Sequence, residues 1–158
     1  MNPRIEILEQ KILVGVSCQM SVVENKTGLL WKSFIPVITS IEHRIGTDKY
    51  SLQIYPSDYF KAFNPNVPFT KWAGIEVSKA DEVNPELEVL VIPAGLYAIF
   101  GYKGSSSDTS IFQYIYQEWI PNSEYELDNR PHYELLGEKY KNNDPDSEED
   151  IYIPIKPR

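Results

Sequence analysis

The chain has 158 residues, with 15 basic against 23 acidic side chains for a formal net charge of −8, and 13% of it is aromatic, including 11 tyrosines and 3 tryptophans. Its length suits one domain, residues 1–158, with a substantial core, and its acidity leaves no Lys/Arg stripe to neutralise a phosphate backbone, which argues against direct nucleic-acid binding. One cysteine, Cys18, and two histidines, His43 and His132, give neither an intramolecular disulfide nor a Cys/His metal cluster.

No metal and no cofactor are therefore expected, and a reducing cytoplasm is the expected compartment. Residues 1–20 alternate polar and apolar groups and carry Arg4, Glu6 and Glu9, unlike the apolar core of a signal peptide. No apolar run is long enough to span a bilayer, so no membrane partner is expected.

In chain order, residues 4–20 read as a strand with one register adjustment, through Ile5, Leu8, Ile12, Val14 and Val16. Leu30, Phe34, Val37, Ile38, Ile41 and Ile45 then form one helical stripe ending at Gly46. Pro36 lies inside that stripe, so the regular helix either begins near Phe34 or kinks after the turn of Trp31. Residues 50–55 and 70–78 read as strands separated by the loop PSDYFKAFNPNVPF.

The second half repeats this order. Residues 86–102 alternate as a long strand interrupted at Pro93 and Gly95, and residues 108–119 supply a helix through Ile111, Ile115 and Trp119, capped by Ser107 or Asp108. Pro121 and Asn122 stop it, and residues 132–138 and 150–155 read as the last two strands. The expected fold is α+β: two pseudo-repeated βαββ units, about 1–80 and 85–158, in one antiparallel sheet with both helices on one face and a central ligand cleft.

Glu134 leads the candidate site residues, because an isolated acid within a strand, between Tyr133 and Leu135, needs an explanation. Period two puts His132, Glu134 and Leu136 on one face and Tyr133 and Leu135 on the other. Glu134 points into the cleft if the Tyr133 face packs on the helices; on an edge strand it faces water. Tyr55, Trp72 and Tyr97 are expected as pocket walls, while Phe100, Trp119 and Trp31 are shared between core and pocket. A carboxylate among aromatic rings suits a lipophilic, often cationic small molecule.

The acidic run NDPDSEED lacks the ligand order of a calcium loop, and GSSSD lacks a phosphate-loop pattern, so they read as a solvated hairpin and a helix cap.

The string IPAGLYAIFGYKG, the helix closing on EWIPNSEYELDNRPHYELLGE, the strand EEDIYIPIK, and LLWKSFIP, SLQIYP and KWAGIEV in the first half together resemble the gyrase-inhibitor-like (GyrI-like) family, the effector-binding domains of AraC-type and MerR-type regulators. The resemblance covers nearly the whole chain. It implies two βαββ units and a pocket in which Glu134 faces cationic aromatic compounds, with Tyr55, Trp72, Tyr97 and Trp119 carried over as walls.

No helix-turn-helix precedes Met1, so the chain resembles stand-alone members. For those the resemblance implies binding in xenobiotic sensing or sequestration, contact with DNA gyrase or a separate regulator, or hydrolysis of cyclopropane-type electrophiles with Glu134 as general base.

Overall fold

The computed structural model describes residues 2–158. Its elements run β1 (Arg4–Leu8), β2 (Lys11–Met20), α1 (Thr27–Phe34), β3 (Lys49–Ile54), β4 (Phe69–Val77), β5 (Glu88–Ile92), β6 (Gly95–Lys103), α2 (Ser110–Tyr114), α3 (Ile120–Asn122), β7 (Tyr125–Leu127), β8 (His132–Leu136) and β9 (Glu148–Pro157). Helical structure continues beyond α1 as a 3-10 segment, Ile35–Ser40, and joins α2 to α3 through a π-helical turn, Ile115–Trp119.

The sheet order is β1-β6-β9-β8-β3-β4-β2-β5, with β7 paired to β9, and every strand pairing among the described residues is antiparallel. Reading inward from either edge, each strand has a counterpart in the other half, so an approximate dyad falls between β3 and β8. There Ser51 sits directly opposite Glu134.

The α+β fold and its two-unit order hold, with one refinement. Residues 4–20 are not one strand but two, and so are residues 86–102. β1 leaves its own half to pair with β6, while β5 leaves its half to pair with β2. At the second break Pro93 lacks an N–H for a ladder and Gly95 lies against the guanidinium of Arg130, where a Cβ would stand 2.5 Å from it.

Pro36 decides the first helical segment. It cannot donate the i to i−4 bond of a continued α-helix, so the α pattern stops at Phe34 and Pro36 opens the 3-10 segment. The expected apolar stripe therefore ends early. Ile45 is exposed, and Gly46 is a turn residue at φ +65° rather than a helix stop.

Each face of the sheet carries its own core. On the helical face, Leu30, Phe34 and Ile38 cover Ala73 and Ile75 of β4, while Ile111, Ile115 and Ile120 cover Phe100 of β6 and Ile151 and Ile153 of β9. The opposite face buries Leu13, Leu52, Trp72, Tyr97, Ile99 and Tyr133 beside Leu8 and Leu90 from the two edge strands. Laid flat, eight strands would span about 34 Å. Among the described residues no helix covers this second cluster, yet Leu13, Leu52, Tyr97 and Tyr133 are 0–1% exposed, so the sheet curls over its own side chains.

Gly15 supports close packing of β2 on β4. A Cβ there would collide with the Ala73 carbonyl oxygen.

Candidate functional site

The two helical segments cover the outer strands of their face and leave the central strands, β3 and β8, between them. The pleat then decides what lines the gap. Gln53 pairs with Lys71 and with His132, and Ser51 pairs with Ala73 and with Glu134. Since Ala73 packs under α1, all six residues belong to the helical face. Glu134 therefore lies on the face that the helices cover, and Tyr133 belongs to the opposite core.

Lys71, Ser51, Gln53 and His132 are 5–7% exposed, while Glu134 keeps partial access to solvent. Burial pushes the Glu134 carboxyl up, and the Lys71 ammonium and a hydrogen bond from Gln53 pull it back. Lys71 shows the mirror effect: burial lowers it, and Glu134 followed by Glu149 raises it. Among the described residues no carboxylate forms an ion pair with Lys71 within 4.0 Å. Glu149, raised to about 7 mainly by burial and then by the charge of Glu134, completes the set.

Aromatic rings stand beside these charges. The β3–β4 loop brings Tyr59 and Phe60 against Tyr55, with ring centroids 4.6 and 5.0 Å away, and Phe69 closes the group. Phe60 also stacks on Tyr116 at 4.5 Å and on His132 at 5.5 Å, joining the loop to the second helix. Tyr116 Oη and His132 Nδ1 are 2.8 Å apart. Burial, and then Arg130, lowers His132 to about 3, so it is neutral at physiological pH.

Tyr116 reaches this position from the π-helical turn. There the wider i to i+5 repeat alters the side-chain phase that a plain α-helix would impose.

The residues singled out in the sequence divide between these regions. Glu134 and Tyr55 come together, and burial and then the Glu134 charge raise the Tyr55 hydroxyl well above its usual range. Trp72 and Tyr97 do not join them, because both point to the opposite core. Tyr97 is fixed there by its hydroxyl, which donates to the Pro131 carbonyl at 2.9 Å, and by the Arg130 guanidinium, 4.7 Å from the ring centre.

Arg130 in turn donates to the carbonyls of Leu96 and Ile155 and pairs with Asp128 at 2.7 Å. This makes the Tyr97 corner a clamp between β6 and β9. Phe100 is fully buried under α2, with Trp119 edge-on to it at 5.3 Å and stacked on Tyr125. Trp31, itself on α1, packs edge-on against Phe34 of the same helix and borders the core under it.

Lys71, Gln53, Phe60, Tyr116 and Glu149 were not singled out from sequence. The lysine had a legible signal: in KWAGIEV it shares a face with Ala73 and Ile75, where a charge is as anomalous as Glu134 in HYELL. A cavity of about 610 Å³, lined in part by Asp48, Tyr102, Leu135, Glu149 and Asp150, opens at the ends of β6, β8 and β9. Glu149 is common to this cavity and to the charged floor.

A curled antiparallel sheet with paired helical segments and a charged, aromatic-flanked centre is the architecture of a small-molecule-binding domain. The sequence model of the GyrI-like small molecule binding domain matches residues 1–156, and the chain belongs to that family. It is 30% identical over 145 residues to the transcriptional regulator BrlR of Pseudomonas aeruginosa, covering 90% of this chain and 51% of the regulator. The chain thus spans about half the length of that curated relative.

Two solved structures share the fold. SAV2435 bound to tetraphenylphosphonium has a TM-score of 0.73 and 14% identity, over 99% of this chain and 94% of that one. EcmrR, in a cryo-EM complex with DNA, has a TM-score of 0.69 and 14% identity, over 99% of this chain and 58% of that one. Among the described residues no helix is long and apolar enough to cross a membrane.

Proposed function

We propose that the chain is a receptor for lipophilic, positively charged aromatic ligands, seated between the two helical segments with Glu134 as the charge partner. The observation that carries this reading is the placement of Glu134: a carboxylate on the covered face of a central strand, electrostatically coupled to Tyr55 and Tyr116, which Phe60 joins, and still partly open to solvent. Aromatic faces supply apolar area and attract cations, and a carboxylate in reduced dielectric attracts them more strongly than one in water. The acid-rich cavity that shares Glu149 adds a negative approach. Sensing or sequestration of xenobiotics is the role this chemistry supports.

The test compares tetraphenylphosphonium with neutral triphenylphosphine oxide by calorimetry or tryptophan quenching. Loss of a charge pair worth about 2–3 kcal/mol corresponds to a roughly 30- to 150-fold weakening for the cation in Glu134→Gln, with the neutral compound little changed. Equal losses for both compounds would remove the electrostatic role. Hydrolysis with Glu134 as base would appear as repeated turnover of a cyclopropane-bearing electrophile, and contact with gyrase would appear as co-purification of its subunits at moderate salt.

A further inference from the structure

Lys71 is the least expected residue of the site. It occupies β4, the strand between β3 and β2, and is 5% exposed on the face it shares with Glu134. It accepts no ion pair within 4.0 Å and its ammonium makes no hydrogen bond among the described residues, although it carries three donors. Nor is its nitrogen sealed from solvent, since among the described residues the only side-chain nitrogens both unreachable and unpaired are Arg44 Nε and Arg130 Nη1.

A buried lysine and a partly open glutamate thus stand on one floor without direct contact, on the two strands that flank β3. A ligand that is only a cation satisfies Glu134 and leaves Lys71 with a like charge for a neighbour. A ligand carrying both signs satisfies both.

We infer that Lys71 is a specificity-determining residue, and that the site selects aromatic ligands bearing an anionic group as well as a positive charge, the anion seated on Lys71 and the cation on Glu134. This inference rests on the Glu134 reading above and narrows its ligand class to amphoteric compounds. Gln53 lies on β3 between the two strands, opposite Lys71 on one side and His132 on the other, and its amide favours the ionised form of Glu134. Glu149 is the other acid acting on Lys71.

The experiment uses two dyes that differ in one group: tetramethylrhodamine, a zwitterion with a free carboxylate, and its methyl ester, a cation. Affinities are measured by fluorescence anisotropy for the wild-type chain and for Lys71→Met, Lys71→Gln and Glu134→Gln, each checked for native near-UV circular dichroism. The wild-type chain is expected to prefer the zwitterion by about tenfold or more, and both Lys71 variants to prefer the ester by a similar factor. A ratio unchanged by both Lys71 variants, with Glu134→Gln still weakening both dyes, overturns the role of Lys71 and leaves Glu134 in place. Dyes that bind all variants equally, or none, overturn both.

Discussion

Lys71 and Glu134 stabilise each other's charged state at a distance, and their coupling is measurable in the absence of any ligand. β4 and β8 flank β3, so the two residues lie two interstrand spacings apart, with an offset of two residues along the strands, because Lys71 pairs with Gln53 and Glu134 with Ser51. Spacings of about 4.8 Å across and 3.4 Å along the sheet put the Cα atoms roughly 12 Å apart. Lysine and glutamate side chains directed toward each other across β3 would bring the charges to about 6–7 Å. At an effective dielectric of about 20 this separation is worth about 2.5 kcal/mol.

Chemical denaturation of wild type, Lys71→Met, Glu134→Gln and the double variant at pH 7.5 gives the coupling as a double-mutant cycle. The expected term is about 2–3 kcal/mol, with the double variant more stable than either single one, since each single change leaves one charge of the floor uncompensated. Burial also shields the pair from salt, so the term should persist in about 0.5 M NaCl. A coupling below about 0.5 kcal/mol would refute the electrostatic picture of the floor.

Other perturbations separate binding from folding. Phe60→Ala removes the ring stacked on Tyr116 and His132 and should cost about 2–4 kcal/mol in stability while accelerating ligand association in stopped-flow quenching; unchanged association would mean that Phe60 does not cover the floor. Tyr97→Phe removes the hydroxyl bond to Pro131 and should lower stability by about 1–2 kcal/mol with tetraphenylphosphonium affinity unchanged; a selective loss of affinity would return Tyr97 to the pocket.

Glu149 has a folded-state pKa raised to about 7, so its contribution to stability is full below the unfolded carboxyl pKa and is lost as pH rises through about 7. After discounting for partial exposure, Glu149→Gln should therefore reduce the gain in unfolding free energy between pH 8 and pH 4 by about 1–2 kcal/mol, and an unchanged pH profile would contradict the raised value.

The strand and helix order was legible because apolar periodicity and the Pro and Gly punctuation act locally, and HYELL carried its anomalous acid in plain view. The exchange of β1 and β5 was not, since strand pairing is a long-range choice to which period-two alternation is indifferent. The same limit explains Trp72 and Tyr97. Alternation groups them with their neighbours but does not say which face the helices take, and once Glu134 is on the helical face, Tyr97 and Trp72 belong to the other core.

The charge of Lys71 stands next to Trp72, and alternation alone does not say which of the two faces the helices cover. Tyr116 depends on the π-helical turn, which shifts side-chain phase without a sequence mark that an i, i+4 pattern detects.

The reciprocal crossing of β1 and β5 bears on how the molecule comes into being. Each half lends its opening strand to the other, so neither half, synthesised alone, possesses a complete set of neighbours for its own β2 or β6. The sheet must close through pairings between residues some 70 to 95 positions apart, which places folding among slow, high-contact-order processes. It also makes the two halves mutual fasteners: a chain nicked within the connection at residues 80–87 would still be held together by both crossed strands and by the β3–β8 seam.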